Sequence, residues 1–405
     1  MTERNPAGAL SGLRVIDLSR VLGGPFCTQI LADHGADVIK IEPPQGDETR
    51  AWGPPFRGDA ASYFIGINRN KRGIALDLAR EAGRAVLFRL LADADVMIEN
   101  FKTGTLEKWG LGYDAALKER FPRLVHCRIS GFGADGPLGG YAGYDACVQA
   151  SSGIMSLNGE KGGGPLRVGI PVVDLATGFN AAIGILMAIQ ERARSGKGQF
   201  IETTLYDSGL MLMHPYTTNW FMTGQTPRRI GNEHPNLCPY DQFPTRTKPI
   251  FLGCGNNRQF QRFCAAIERP ELARDPRFLD NADRVVNRAA LRAEIEGVLA
   301  RFDGDELCTK LLDRGVPCGV VQDVPDVLTH PHTAHRGMIL ESGEYRGMAN
   351  AIKLSRTPAS LRRTPPRFGE ANRDVLSEAG YSAAEIDTLI ADGIVLDQMR
   401  KPPED

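Results

Sequence analysis

Apolar and polar positions change period along the chain. In the first two hundred residues, short apolar runs of strand length alternate with segments whose apolar residues recur every three to four positions. LRVIDLS (13–19), DVIKIEP (37–43), RGIALDL (72–78), DVMIENF (95–101), RLVHCRIS (123–130) and QFIETTLYDS (199–208) read as strands. FCTQILADHG (26–35) and EAGRAVLFRLLADA (81–94) read as helices, as does the stretch after Asp174. There Leu175, Ala176, Phe179, Ala182, Ile183, Leu186 and Met187 keep helical spacing, while Ile185 and Ile189 fill other sides. This helix is therefore expected to be buried nearly all round. RARSGKG ends it with basic residues in the last turn and a glycine cap. Strands separated by helices predict βαβ units, a parallel sheet and right-handed crossovers that cover both faces. Ligands of such sheets gather at the carboxyl ends of the strands. Those ends carry Arg20, Glu42, Asn100 with Phe101, and the run after Ser130.

After about residue 215 the pattern shifts. PYDQFPTRTKPIFLGCGNNRQFQRFCAAIE (239–268) predicts two short strands and a helix. Helices follow over 287–302 and 304–315, then a strand in CGVVQDV (318–324). The expected organisation is a large α/β domain over 1–215, a small α+β domain over 216–330, and a C-terminal segment, 331–405, that returns to the large domain. The tail is too long and too apolar for a mere extension. It reads as short strand-like pieces, the loop RRTPPRFGEAN and a helix near SAAEIDTLIADG.

Composition narrows the function classes. With 48 Lys+Arg against 49 Asp+Glu, no global field recruits nucleic acid or an anionic membrane, so a polyanionic ligand needs a local basic patch. The start, MTERNPAGAL, has no apolar core and does not read as a secretion signal. No uninterrupted apolar run has the length of a membrane span. Eight scattered cysteines without a C-x-x-C pair point to reduced thiols in a cytoplasmic or equivalent reducing compartment. No zinc spacing is seen: HPHTAH (330–335) is broken by proline and reads as a surface turn.

Four motifs carry candidate chemistry. Asp174 stands at the N-cap position of its helix, where capping is the ordinary use of a carboxylate. Backbone N–H groups and the helix dipole would keep it ionised while partly buried, and a rigid, poorly hydrated carboxylate is a usable nucleophile. GFGADG (131–136) fits G-x-G-x-x-G, but PLGGYAGYD follows, so no helix starts there. A glycine-rich loop closing over a substrate is expected, not a dinucleotide site. NRNKRG (68–73) offers Lys71 and Arg72 either as a solvated turn or as a phosphate clamp. ENFKTGTLEKWG (99–110) adds Lys102 and Lys108.

Taken together, further stretches resemble one family. LSGLRVIDLSRVLGGPFCTQILADHGADVIKIEPPQGDETR, NRNKRGIALDL, ADVMIENF, GLGYD, ISGFGADGP, AGYDA, DLATG, GKGQFIETTLYDS, GNNRQF, RGVPCGVV and HRGM resemble, in order, the family III CoA-transferases. RVLGGPF, TRAWGPPF and CPYDQF look closest to the succinate–hydroxymethylglutarate type. The resemblance implies a Rossmann-like large domain completed by the tail, a small domain and an interlocked homodimer. It implies CoA transfer from an acyl-CoA donor, such as succinyl-CoA, to a free carboxylic acid through an aspartyl-CoA thioester. CoA is then a substrate, with no permanently bound cofactor. The nucleophilic aspartate falls on Asp174. CoA-contacting segments fall on Arg20, Val21 and Leu22, on Leu76 to Ala79, on Asn100, Phe101 and Lys102, on Lys108, and on Ala142 to Asp145, with Tyr144 among them. Lys108 stands where some relatives have arginine. LGCGNNRQF stands where formyl-CoA transferase has a tetraglycine loop, and Tyr144 where racemases carry histidine. A 2-methylacyl-CoA racemase of the same fold and a catalytically silent CoA-binding protein are the alternatives. Arg20, Arg57, Arg228, Arg229 and His234 are candidates to meet the second carboxylate of a dicarboxylic acid.

Overall fold

The computed structural model describes residues 8–400; the opening MTERNPA, part of the run read as lacking a leader, lies outside them. The chain divides into two compact units. One comprises residues up to 154, 168–212 and from 334 onward; the other comprises 155–167 and 213–333.

The first unit opens with β1 (Arg14–Asp17), α1 (Gly23–Asp33), β2 (Asp37–Glu42), β3 (Lys71–Ala75), α2 (Glu81–Leu91), β4 (Val96–Glu99) and β5 (Val125–Ser130). It continues with α3 (Asp145–Ser151), α4 (Val172–Ser195), β6 (Phe200–Thr204) and α5 (Leu205–Met211). The six strands form one parallel sheet in the order β3-β2-β1-β4-β5-β6. This is the doubly wound order, and its direction reverses between β1 and β4, where such folds bind ligands. QFIETTLYDS is a strand only as far as Thr204. The Thr204 hydroxyl accepts the Asp207 N–H at 2.9 Å and starts α5.

Helix α4 turns a different face inward from the one expected. Its buried positions are mostly small: Thr177, Gly178, Ala181, Ala182, Ile185 and Ala188. Phe179, Ile183, Leu186 and Met187 are exposed, so the helix is not buried all round. The reason is close crossing with α1: a Cβ on Gly178 would lie 2.7 Å from the Gly23 carbonyl oxygen. Bulky residues cannot sit on that face. Gly196, with φ 75°, ends the helix as expected. By length and composition alone α4 would suffice to cross a membrane, although Asp174, Asn180 and Gln190 interrupt its apolar run.

In the second unit, β7 (Tyr240–Phe243), β8 (Ile250–Gly253) and β9 (Cys318–Val320) make an antiparallel sheet in the order β9-β8-β7. It packs with α6 (Asn257–Ala266), α7 (Arg288–Leu299) and α8 (Gly304–Leu312) around Phe243, Phe260, Phe263, Leu291 and Leu307. Cys308 on α8 is paired with Cys318 on β9 as a disulfide, contrary to the expectation of eight reduced thiols. The other six cysteines are free. HPHTAH lies at the surface as expected, with Pro331–His335 forming a short helical turn that buries no residue.

The tail contains a hairpin of β10 (Ile339–Ser342) and β11 (Tyr345–Met348), then α9 (Asn372–Glu378) and α10 (Ala383–Ala391). Val375, Leu376, Ile386 and Val395 join the core around Ile16, Ile39, Leu76 and Met97. Asn372 accepts the Ala75 N–H at 3.0 Å and donates to the Leu396 carbonyl at 2.8 Å. The tail therefore completes the first unit's core.

Candidate active site

A cavity of about 220 Å³ opens at the switch point of the parallel sheet. Its floor comes from the segment after β1, Arg20 to Gly23, and the segment after β4, Asn100 to Thr103. Asn100 ties the two together: it accepts the Arg20 N–H at 2.9 Å and donates to the Arg20 carbonyl at 2.8 Å. Beneath them lies a buried ionic frame. The Lys40 ammonium donates to Ser19 O and to Asp47 Oδ2, each at 2.9 Å. Asp47 Oδ1 in turn accepts the Val21 N–H at 3.4 Å. Val21 needs such support, because φ 69° places a β-branched residue in the left-handed region. The strain sits in the wall of the cavity.

Asp174 also lines this cavity. It lies in the first turn of α4, after the N-cap position, which Pro171 occupies. The cap comes from another helix: Asp145 Oδ2 accepts the N–H groups of Val173 at 2.8 Å and Asp174 at 3.1 Å. Capping and candidate catalysis are thus divided between two carboxylates. The Asp174 carboxyl is not held ionised as expected. Burial, and then the charge of Asp145, push it from 3.8 up to about 7. Burial and the charge of Asp174 also push the Tyr63 phenol up to about 12.

The N-terminus of α1 faces the same carboxylate. A Cβ on Gly23 would lie 3.7 Å from Asp174 Oδ1. Among the described residues, no acceptor meets the backbone N–H of Leu22 or Gly23, and Leu22 makes no side-chain cap. The glycine loop closes the other wall through Gly131, Gly140, Ala142, Gly143 and Tyr144. A Cβ on Gly131 would lie 2.7 Å from Gly143 N, so only bare backbone fits where the loop's ends meet.

Arg20, Val21, Leu22, Asn100, Phe101, Lys102, Tyr144 and Asp174 are therefore brought together. Five other candidates are not among the residues lining this cavity. Lys71 is fully buried at the amino end of β3; its ammonium donates to Asp17 Oδ2 at 3.1 Å, and burial lowers it to about 8. It is a core charge, not a phosphate clamp. Arg72 is spent on Asp37 and Glu378, each at 2.7 Å. The Leu76 side chain is in the core and its backbone bridges to Val395. Lys108 is exposed at the end of the short helical turn Thr105–Lys108. Asp145 is 8% exposed and its carboxylate caps α4. Glu42, at a strand end, is also withdrawn, held by Arg50 through two bonds of 2.7 Å.

Of the candidates for a distal carboxylate, only Arg20 lines the cavity with Asp174. Arg57 donates to the Glu344 carbonyl. Arg228 and Arg229 line a separate, larger cavity of about 890 Å³ in the second unit, with Met213, Tyr216, Trp220 and Phe221. His234, also in the second unit, packs its ring 4.9 Å from that of Tyr240. Glu48, missed by sequence reasoning, lines the cavity and accepts from Arg20 at 2.8 Å. Its place inside IEPPQGDETR at a strand end was its only signal.

A family model described as CoA-transferase family III matches residues 10–372. An acetyl-CoA:oxalate CoA-transferase of Acetobacter aceti is 42% identical over 360 residues, 88% of this chain and 92% of that protein. A succinate–glutarate CoA-transferase of Agrobacterium fabrum is 39% identical over 390 residues, 93% of this chain and 97% of that one. The crystal structure of a CAIB/BAIF family protein from Brucella suis is 40% identical, with TM-score 0.83, over 92% of this chain and 100% of that chain.

Proposed function

The chain belongs to CoA-transferase family III, and from that premise we propose that it moves CoA from a succinyl-CoA-type donor to a free dicarboxylic acid, using Asp174 as nucleophile. The observation that carries this reading is the placement of Asp174. It is a half-desolvated carboxylate in a switch-point cavity, beside the N–H groups of Leu22 and Gly23, which meet no acceptor among the described residues. The dicarboxylate class is supported by relatives named for succinate, glutarate and oxalate.

The Asp174 carboxylate attacks the thioester carbonyl, and the C–S bond breaks to give a mixed anhydride and CoA thiolate. The thiolate attacks the aspartyl carbonyl of the anhydride, releasing the first acid and leaving an aspartyl-CoA thioester. The acceptor carboxylate attacks that thioester, and the same two steps run in reverse on the new acid. Each step exchanges one activated acyl group for another, so the cycle needs no external energy source. Oxyanions form twice per half-cycle, and backbone N–H donors fixed beforehand stabilise them most where water is excluded. In this reading Leu22 and Gly23 supply those donors at the positive end of α1. Lys102 and the backbone of the loops after β1 and β4 hold the CoA.

The enzyme acts as a homodimer in this reading. Supporting it, Phe179, Ile183, Leu186 and Met187 form one exposed apolar stripe along α4, continued by Met211 on α5. Such a stripe on a folded chain marks an association surface.

Hydroxylamine trapping tests the chemistry. Incubation with succinyl-CoA and hydroxylamine should leave a hydroxamate mass shift on the peptide carrying Asp174. Asp174→Asn should lose more than about 1,000-fold in turnover while still binding CoA. A hydroxamate on another acid, or an active Asp174→Asn enzyme, overturns the assignment.

A further inference from the structure

Building on that reading, we propose that Arg20, opposed by Glu48, is the residue that selects acids by reading the distal carboxylate of the acyl group. Two cations line the cavity, Arg20 and Lys102. Lys102 is exposed and has no side-chain bond among the described residues, which suits a mobile point charge on CoA phosphate. Arg20 is different in kind. Asn100 clamps its backbone from both sides. The next residue, Val21, is held in its left-handed conformation by Asp47. Its side chain is oriented by one bond, from Nη1 to Glu48 Oε1 at 2.8 Å. A guanidinium fixed this firmly presents a set geometry.

That guanidinium is incompletely satisfied. Arg20 Nε is buried and meets no acceptor among the described residues. A buried cationic donor without an acceptor is costly, and native structures rarely leave one without a purpose. A ligand carboxylate has the charge and the planar, two-oxygen shape that a guanidinium fork accepts. Glu48 sharpens the choice. It half-neutralises Arg20, so the pair offers little to an uncharged acyl end, which would have to lie against an ion pair. An anionic end can pair with the part of the guanidinium that remains open to the cavity, the Arg20 side chain being 35% exposed. A site built to hydrogen-bond one group rejects the analogue lacking it far more strongly than an apolar pocket does. Donor acyl group and acceptor acid occupy the same place in turn, so one arginine reads both.

The experiment compares kcat/KM for glutarate and for valerate, acids of equal chain length with and without the second carboxylate. It is run on the full-length enzyme with a fixed donor, alongside calorimetric CoA binding. Arg20→Met should lower the glutarate-to-valerate ratio about 100-fold. Arg20→Lys should recover part of it, and Glu48→Gln should raise it about threefold or more. Should Arg20→Met fail to fold, the last two variants carry the test. An equal loss for both acids with weaker CoA binding would make Arg20 a CoA anchor and overturn the proposal, as would an unchanged ratio in Glu48→Gln. A wild-type enzyme that transfers CoA to neither acid, nor to succinate or oxalate, defeats the proposed dicarboxylate reading itself, which is a distinguishable result.

Discussion

Asp174 is a carboxylate maintained against its own solvation. A value near 7 leaves a substantial protonated fraction at neutral pH, where an ordinary aspartate is almost wholly ionised. Donor kcat/KM should therefore rise with pH and level off above about 7. Asp145→Asn should move the inflection downward, because the charge of Asp145 is the second cause of the shift after burial. A profile flat from pH 5 to 9 contradicts this. The same shift makes Asp174 a stability liability. Between 3.8 and about 7 the folded state holds a proton that the unfolded chain has released. Stability thus falls as pH rises through that window, and the full cost applies above it. Discounted for partial exposure, the cost is on the order of 2–4 kcal/mol. Urea unfolding of Asp174→Asn should show a gain of that order at pH 8 and none at pH 3.5.

At the scale of elements, the crossing of α1 and α4 sets how close the Asp174 carboxylate comes to the start of α1 at Gly23. Gly178 is the spacer. Alanine there would meet Gly23 O at 2.7 Å and Phe26 Cδ1 at 3.0 Å, and backbone cannot yield as a flexible side chain can. The propensity gain of about 1 kcal/mol for Gly→Ala in a helix should be outweighed by overpacking of about 1–3 kcal/mol. Gly178→Ala should lower the Tm and lower kcat more than CoA affinity. Gly297, inside α7, has nothing within 4 Å of its would-be Cβ, so Gly297→Ala should raise the Tm. Equal shifts from both substitutions would show that helix propensity alone governs, with no role for the crossing.

For the whole molecule, the exposed stripe on α4 is the unresolved energetic question. Met187 is 68% exposed and Met211 72%, a poor use of large apolar side chains unless a second chain covers them. A stable interface buries roughly 1,200–2,000 Å² in total. Light scattering should give twice the 44.1 kDa chain mass, and Ile183→Glu with Met187→Glu should shift the population toward monomer. A wild-type protein that is monodisperse at one chain mass removes the dimer from the reading.

The sequence by itself determined the order of strands and helices, the parallel sheet, the change of pattern past residue 215 and the place of Asp174 in the first turn of a long helix. Those follow from local periodicity and from motifs whose residues are neighbours in the chain. Tertiary structure alone decided which face of α4 is the inside, because that depends on how closely α1 approaches at Gly23. It alone decided the charge state of Asp174, which depends on burial and on Asp145, twenty-nine positions away. Lys71 and Arg72 read as a basic knot, and only their acidic partners Asp17, Asp37 and Glu378, distant in sequence, show that they are already spent. Arg20 and Glu48 looked like unrelated charges until the fold set them 2.8 Å apart. Solvation and pairing are properties of neighbours in space, and spacing along a chain does not encode them.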